Sequence, residues 1–451
     1  MKKLIILLLF ILTLSSQKII NAQNSFVPFT IHQTQLENGL NVVTVPFDSP
    51  GIVAFYIIVR VGSRNEVEKG VTGFAHFFEH MMFRGTDKYP KDKYEQVLKS
   101  IGASANANTS SDRTVYHMTG DANKLEKMFE IEADRFRYLN YSKEDFIIEA
   151  GAVKGEYTKN YANPLSRLYE SIRNTAFDVH TYKHTTMGFY EDIVDMPNQY
   201  EYSLQFYKRF YKPEYCTILC VGDVTFNQII SLAEKYFGSW ERGSYVADIP
   251  VEPTQNQTRY AHIKSSEVPP YLSLNYKGPA FNDTEIDLPA LYLISSIYFG
   301  PNSSIYKKLV LEEKKVKSLG CYPSFSRDPE LIGIYANLKD NKDLRYVLEE
   351  LLAEVEAVKT KPVDITILNN AKSNIQYRTL MNMDNPTDIA NILSSFISAS
   401  GDPESINRYY KTLGKITPED IINVAKKYFV NTSLTIGTIT PDDIPDVTIN
   451  K

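Results

Sequence analysis

Apolar residues occur along this chain in two patterns, continuous short runs and helical periodicity. Residues 42–45 and 52–61 are nearly continuous apolar runs rich in Val and Ile, which predicts two buried strands. After Gly73 the apolar residues follow a helical spacing: Phe74, Phe77, Phe78, Met81 and Met82. They cover much of the surface of this helix, so we expect the helix to be buried.

The end of the first half of the chain resembles the end of the second half. Residues 206–211 form an aromatic-rich helical segment, and a β-branched run follows at 217–225. Residues 424–429 and 434–440 repeat that order. The recurrence predicts an internal duplication of one α+β unit. Chance similarity is the alternative, because a helix followed by a strand is common.

A polar segment near the middle of the chain separates the two repeats. It contains Pro250 and Pro253 and has turn-forming residues on both sides of a short apolar stretch. We therefore predict a first domain over residues 23–243, a linker over 244–257 and a second domain over 258–451. The length of 451 residues also exceeds what one core usually holds.

Composition indicates a globular protein, with 43% apolar and 23% charged residues. The formal net charge is -5 and the acidic residues form no runs, so we expect no nucleic-acid partner. Cys216 and Cys220 lie on one predicted strand, too far apart to bridge readily, and Cys321 is the third cysteine. This cysteine usage predicts a protein stabilised by its cores rather than by disulfides.

The N-terminus matches a secretory signal peptide over residues 1–22. Lys2 and Lys3 precede the apolar run 4–14, and Ala22 is a small residue at the expected cleavage point. The run is too short to span a bilayer as a helix, so we expect no stable membrane insertion, with a membrane anchor as the alternative. The signal predicts export. We favour the bacterial periplasm, because the signal resembles bacterial ones and no surface-anchoring feature follows.

The segment His76-Phe77-Phe78-Glu79-His80 carries the most informative chemistry. On a helix, residues four apart lie one above the other, so His76 and His80 can direct ring nitrogens at one metal ion. Glu79 lies on nearly the same face. This arrangement indicates metal-dependent hydrolysis, and two surface histidines on an amphipathic helix are the alternative.

A catalytic zinc site usually takes three protein ligands, so one more ligand must come from elsewhere in the fold. Glu149 and Glu156 are candidates, since seven residues is about two helical turns and both carboxylates face the same way. Spacing alone does not distinguish them, and each could be a solvated helix carboxylate. We expect three other histidines to be packed or surface groups: His117, His180 and His184.

Residues 73–86, Gly-Phe-Ala-His-Phe-Phe-Glu-His-Met-Met-Phe-Arg-Gly-Thr, resemble the signature of the pitrilysin/insulinase metallopeptidases. These enzymes are inverzincins, whose H-x-x-E-H motif reverses the usual zincin order. Other segments resemble further family marks: 36–40, 106–110, 211–213, 221–223 and 300–306. The resemblance extends from about residue 28 to the C-terminus. It implies an α+β fold of two homologous domains, each a mixed, mostly antiparallel sheet with helices packed on one side, in a subgroup similar to processing peptidases.

The resemblance also implies roles for individual residues. His76, His80 and Glu156 correspond to the zinc ligands, with one Zn²⁺ per chain, and Glu79 to the general base. Glu149 corresponds to a second glutamate that supports the site. The implied activity is that of a zinc metalloendopeptidase acting on peptides or unfolded segments. Manganese and cobalt are alternatives, because imidazole and carboxylate ligands accept several metals.

Residues 102–111 are rich in Ala, Ser, Asn and Thr, which by composition predicts a flexible loop. The resemblance instead implies an edge strand that pairs with the substrate backbone, with Asn106 and Ala107 facing the peptide. Main-chain pairing selects extended segments, so we expect folded proteins to resist cleavage.

One departure from the family pattern concerns the second half. Family members that complete their own site carry an Arg and a Tyr seven residues apart, which stabilise the oxyanion. Leu311 and Ser318 occupy those positions here. We therefore expect a two-chain enzyme in which a related partner subunit supplies the Arg and Tyr, with a homodimer as the fallback. The competing interpretation is a catalytically weak or inactive structural or peptide-binding subunit of the same fold.

Overall fold

The structure is a computed structural model and describes residues 25–442, 445 and 447–449. The predicted signal peptide, residues 1–22, lies outside the described residues. The first half contributes six strands: β1 His32–Gln35, β2 Asn41–Pro46, β3 Ile52–Val59, β4 Ser104–Thr109, β5 Thr114–Asp121 and β6 Cys216–Gly222. The second half contributes five: β7 Arg259–Lys264, β8 Tyr271–Lys277, β9 Val316–Pro323, β10 Leu331–Leu338 and β11 Leu434–Thr440.

The strands form two mixed, mostly antiparallel sheets with the same internal arrangement. The first sheet has the order β1-β2-β6-β3-β5-β4, in which only β2 and β6 run parallel. The second sheet has the order β7-β11-β8-β10-β9, in which only β7 and β11 run parallel. In both, a parallel pair is followed by three strands in antiparallel order. The predicted duplication of one α+β unit is confirmed.

Helices follow the strands in a matching order in the two halves. The first half contains α1 Phe74–Met81, α2 Lys91–Ser100, α3 Leu125–Tyr138, α4 Lys143–Tyr161, α5 Pro164–Ala176, α6 Tyr190–Asp195, α7 Tyr200–Phe210 and α8 Phe226–Phe237. The second contains α9 Asp287–Tyr298, α10 Ser304–Tyr306, α11 Leu344–Thr360, α12 Ile365–Met381, α13 Pro386–Ser400, α14 Ser405–Lys415 and α15 Pro418–Tyr428. No helix in the described part of the chain combines the length and apolar character that a membrane span requires.

Each sheet is covered on both faces. On β3, Phe55 and Ile57 pack in the core formed with the first half's own helices, whereas Tyr56 and Ile58 pack in the core that contains α13. Because both faces of β3 are buried, its sequence is a continuous apolar run and not an alternation of apolar and polar residues. β6 is buried along its whole length, and its Cys216 and Cys220 are free thiols.

The second face of each sheet is covered by a helix from the other half. α13 packs on β3 and β6, and α5 packs on β7 and β11. Both helices begin with an Asn–Pro pair: the side chains of Asn163 and Asn385 cap the first turn, and the proline occupies a position where a helix needs no N–H donor. Apart from α5 and α13, the helices of each half pack on one side of that half's sheet, as predicted. The other side of each sheet is covered by the helix that the other half supplies, α13 on the first sheet and α5 on the second.

The segment between the halves has no regular secondary structure. Residues 241–258 form neither helix nor strand, and this range includes the predicted linker at 244–257. β7 begins immediately afterwards, at Arg259. Because α5 and α13 cross between the halves, the boundary in the sequence does not coincide with a boundary between the two cores.

Candidate metal centre

Helix α1, which carries the His-Glu-His segment, is held in the core by its aromatic residues. Phe74, Phe77 and Phe78 are 0% exposed, and full burial of such a side chain contributes about 1.5–3 kcal/mol. The helix begins at Gly73, whose φ of 90° is left-handed, and a Cβ there would lie 2.5 Å from Ile193 Cδ1. The position of α1 is therefore fixed by packing along its length and by a glycine at its start.

Glu66 anchors the N-terminus of α1. Its carboxylate accepts hydrogen bonds from the backbone N–H groups of Gly73, at 2.8 Å, and Ala75, at 2.7 Å. Burial raises the pKa of Glu66 to about 8, against the opposing effect of these N–H donors. No pattern in the sequence indicates this residue, because it lies on an irregular segment with no periodic relation to the helix.

Helix α4 brings a carboxylate to the two imidazoles. Glu156 Oε2 lies 3.6 Å from His76 Nε2 and 3.5 Å from His80 Nε2. The two rings are nearly perpendicular, at 81°. Ligands at the zinc–ligand distances found in proteins stand roughly 3.4 Å apart around a tetrahedral ion. The three residues therefore fit such an ion, and theirs is the single cluster of this kind among the residues that the structure describes.

Glu149 orients His80 from the side opposite the cluster. His80 Nδ1 lies 2.8 Å from Glu149 Oε1, and Arg84 Nε donates to Glu149 Oε2 at 2.6 Å. Burial alone would raise the pKa of Glu149, but the bonds with His80 and Arg84 outweigh it and lower that pKa. The ionised carboxylate accepts from Nδ1–H, which leaves the lone pair of Nε2 for a metal.

The two histidines of the cluster differ: the hydrogen bond with Glu149 raises the pKa of His80, whereas the pKa of His76 is lowered. Burial, followed by the effect of His80, lowers the pKa of His76 to about 4. A neutral imidazole is the form that binds metal. The seven-residue spacing thus gives Glu149 and Glu156 different surroundings: the first contacts His80 Nδ1, and the second faces both Nε2 atoms. Arg84 was not recognised as a partner of Glu149 from the sequence, although it follows His80 by four residues.

Glu79 lies beside the cluster with one hydrogen-bond partner. Thr109 Oγ1, at the end of β4, donates to Glu79 Oε2 at 2.6 Å. Burial raises the pKa of Glu79. Glu79 and His80 line an open cavity of about 260 Å³, so water can reach them. A half-buried carboxylate with a raised pKa suits proton transfer. Thr109 was not predicted to contact Glu79, because 30 residues separate the two.

Strand β4, which contains Asn106 and Ala107, lies at the free edge of the first sheet. Ser110 N donates to Arg113 O at 2.8 Å across the turn to β5, and hydrogen-bonded pairs alternate along an antiparallel ladder. Asn106 therefore bonds β5, whereas the main-chain groups of Ala107 point to the open edge. The side chain of Asn106 is exposed and that of Ala107 is 8% exposed. The two candidate residues thus differ: Ala107 offers main-chain groups and Asn106 only its side chain.

The second half carries no comparable cluster among its described residues. Its one histidine is His262, which contacts Thr438 Oγ1. Leu311 is 56% exposed in the π-helical segment Lys307–Glu312, and Ser318 lies on β9, the edge strand of the second sheet. Neither can supply the guanidinium or phenol expected from the family pattern.

The remaining candidate histidines lie outside the cluster. His117 stacks on Tyr56, and His180 Nε2 lies 2.9 Å from Asp328. His184 is buried near Glu66. The structure places all three in packing or ion-pair surroundings.

One helix that supplies two histidines and a base, facing a second helix that supplies a carboxylate, is the site of a metallopeptidase. Sequence comparison agrees with this class: residues 43–189 match the family described as Insulinase (Peptidase family M16), and residues 199–375 match the Peptidase M16 inactive domain. The chain belongs to the peptidase M16, or insulinase, family.

Several relatives match nearly the whole chain. Zinc protease PqqE of Helicobacter pylori is 28% identical over 408 residues, covering 89% of this chain and 90% of the relative. The β subunit of the mitochondrial-processing peptidase of Saccharomyces cerevisiae is 24% identical over 432 residues, covering 90% of this chain and 90% of the relative. The crystal structure of a protease from Helicobacter pylori superposes with a TM-score of 0.85 at 27% identity, covering 91% of this chain and 99% of that one.

Proposed function

We propose that this protein is a zinc-dependent endopeptidase that cleaves extended peptides or unfolded segments. The observation that carries the proposal is the convergence of His76, His80 and Glu156, whose ligand atoms all lie within 4.8 Å of one another, with Glu79 beside them. The relatives named zinc proteases support zinc as the metal. The open edge of β4 supports an extended peptide as the substrate.

The residues of the site have distinct parts in hydrolysis. A zinc ion held by His76, His80 and Glu156 would polarise a peptide carbonyl and lower the pKa of a bound water to about 7. Glu79 accepts the proton of the attacking water and then donates it to the leaving amine. Thr109 holds the Glu79 carboxylate in place through its hydrogen bond. The raised pKa of Glu79 helps it to retain the proton between the two transfers.

The first test is Glu79→Gln, which keeps the shape of the side chain and removes the base. We expect one zinc per chain by elemental analysis, and a loss of peptide hydrolysis of at least about a hundredfold. Glu144→Gln is the matched control, because Glu144 is an exposed carboxylate in the first turn of α4. Unchanged turnover in Glu79→Gln would exclude Glu79 as the base.

We further propose that this chain is the metal-bearing subunit of a two-chain enzyme. Leu311 and Ser318 leave the oxyanion without the expected donors, so a related chain would supply them. The chain aligns with 92% of its length to only 48% of the Escherichia coli periplasmic protease PqqL, at a TM-score of 0.73 and 19% identity. A longer protein that contains this fold in half of its length supports a pairing of two such units.

The pairing is tested by activity and size together. The zinc-loaded chain alone should hydrolyse an unstructured reporter peptide slowly, and addition of a related chain that carries the Arg and Tyr should raise the rate at least about tenfold. Size-exclusion chromatography should show the complex at twice the mass. Full activity from a monomer would exclude the two-chain proposal.

The second candidate function is a structural or peptide-binding subunit with little turnover of its own. The exposed Leu311 and the small Ser318 favour it, since no oxyanion donor comes from these positions. Zinc binding and peptide binding without hydrolysis, under every pairing tested, would select this candidate.

We also propose that residues 1–22 direct export, with the bacterial periplasm as the destination. The positively charged start, the short apolar run and Ala22 support this. Mass spectrometry of the protein from its native cells should find Gln23 at the mature N-terminus. An intact Met1 on the cellular protein would contradict export by cleavage.

A further inference from the structure

A large cavity lies between the two halves of the chain. It has a volume of about 650 Å³, within the range of ligand-binding sites. The first half contributes the turn between β4 and β5, with Arg113, and helix α5, with Arg173. The second half contributes residues of α9, α12, α13 and α14, including Ser395 and Ser398 of α13. We call this space the inter-half cavity.

The inter-half cavity begins next to the candidate metal centre. Thr109, which bonds Glu79, is followed directly by Ser110, and Ser110 lines the cavity. A second cavity of about 370 Å³ starts at Tyr157, the residue after Glu156, and shares Tyr169 with the inter-half cavity. A peptide that lies along β4 and past the metal ligands is therefore led to this space from two sides.

Arginines at the cavity have hydrogen-bonding capacity that the described residues do not use. Arg113 Nη1 donates only to hydroxyls, Ser395 Oγ at 3.1 Å and Ser398 Oγ at 3.4 Å, and its Nε is buried without a partner. Arg173 is 3% exposed; its Nη1 bonds Tyr169 and Glu330, while its Nε and Nη2 are buried without partners. Each such unsatisfied N–H group is unfavourable when buried, and a bound acceptor would remove that cost.

The acidic residues at the cavity are already engaged. Asp112 accepts from the Tyr182 hydroxyl at 2.6 Å and from the backbone N–H of Arg327 at 2.8 Å, and Glu330 pairs with Arg173. Behind Ser398, Arg60 donates to the backbone carbonyls of residues 398 and 399. Within the described residues, Arg60, Arg113 and Arg327 form no ion pair and have the carboxylate of Asp112 as their common acidic neighbour, so positive charge is in excess here.

We infer that the inter-half cavity is a substrate subsite that binds a carboxylate of the peptide, with Arg113 as its principal cation and Arg173 behind it. This inference rests on the proposed peptidase function. A guanidinium binds a carboxylate through two parallel hydrogen bonds, and the surrounding serine hydroxyls add further donors. The carboxylate can belong to an acidic side chain on one side of the scissile bond or to the C-terminus of a short peptide.

The test uses the zinc-loaded full chain and reporter peptides that differ in one group. A single Glu is moved through every position on both sides of the scissile bond, with Gln at the same position as the reference, and each peptide is made as free acid and as amide. If the subsite binds a side-chain carboxylate, kcat/KM at one position should be about tenfold higher for the Glu peptide than for the Gln peptide. If it binds a C-terminal carboxylate, kcat/KM at one peptide length should be about tenfold higher for the free acid than for the amide. The first result identifies a side-chain carboxylate and the second a C-terminal one.

Variants assign the preference to Arg113. In Arg113→Gln the Glu-to-Gln ratio should fall to near one, and in Arg113→Lys it should be partly kept, because the charge remains. The ratio within each enzyme cancels any general loss of activity from altered contact with α13. Arg345→Gln is the control, because Arg345 is exposed on α11 and does not line the cavity.

The outcomes separate this inference from the proposed function. Cleavage of all peptides with equal rates for Glu and Gln, and for acid and amide, would overturn the subsite and leave the peptidase intact. A preference that survives in Arg113→Gln would also overturn it. Failure to cleave any peptide, both alone and after addition of a related chain that carries the Arg and Tyr, would count against the peptidase function itself. The wild-type peptide series decides the first question even where a variant does not fold.

Discussion

Glu66 is a buried acid at the start of the helix that carries the zinc ligands, and its protonation should affect stability. Its pKa rises from 4.5 to about 8 on folding, so the folded protein holds a proton that the unfolded chain releases between these values. Stability from this group is therefore fully present below pH 4.5 and is lost as pH rises towards 8, by at most about 1.4 kcal/mol per pH unit.

The matched variant is Glu66→Gln, which cannot ionise and loses one acceptor for the N–H groups of Gly73 and Ala75. Thermal unfolding of the metal-free proteins between pH 5 and 8 should show the Tm of wild type falling relative to that of the variant as pH rises. Glu144→Gln should show no such trend. A constant difference in Tm between wild type and Glu66→Gln would contradict the raised pKa.

Residues of the site differ in how far the sequence predicts them. His76, Glu79 and His80 lie on one helix, so their spacing alone indicates a shared face. Glu149 and Glu156 could be proposed by spacing and distinguished only by resemblance to the family; in the structure Glu156 faces both Nε2 atoms and Glu149 contacts His80 Nδ1. Glu66 and Thr109 contact α1 from distant segments, and no local pattern records such contacts.

At the level of elements, β4 offers alternate main-chain groups to a bound peptide. Residues 105, 107 and 109 point their N–H and C=O groups to the open edge. A peptide that pairs there should use alternate residues as well. N-methylation of single residues in a reporter peptide should therefore raise KM at every second position and have little effect between them.

This scan leaves the enzyme unchanged, so its outcome does not depend on the folding of a variant. Methylation effects of equal size at all positions, or at none, would exclude pairing of the substrate with β4. An N-methyl group placed far from the scissile bond serves as the control.

Four of the eleven strands, β2, β3, β6 and β11, and the α1 helix could be predicted from apolar runs and periodicity. The predicted strand at 52–61 ends at Val59, where Arg60 turns away to donate to backbone carbonyls of α13. The small-residue segment 102–111 could not be assigned by composition, which predicts a loop; the resemblance correctly implied an edge strand. The spacing of apolar residues shows that a face of a strand or helix is buried. It does not show which helix covers that face, so the exchange of α5 and α13 could not be predicted.

At the level of the whole molecule, the duplication produced two halves with one fold and different chemistry. The first half holds the three candidate ligands, and the second half keeps the strand order without any of them. The second half instead contributes α13 and the far wall of the inter-half cavity. Its part in the molecule is therefore to complete the first half's core and to extend its surface.

The crossing of α5 and α13 means that neither half covers both faces of its own sheet. If the chain is divided within residues 244–257, each fragment expressed alone should aggregate. Co-expressed fragments should reassemble and bind zinc. Single fragments that are soluble and that circular dichroism shows to be folded would contradict this prediction. A single unit of this kind can cover the second face of its sheet only with a helix from another copy, and the linker keeps the two units of this chain together for that exchange.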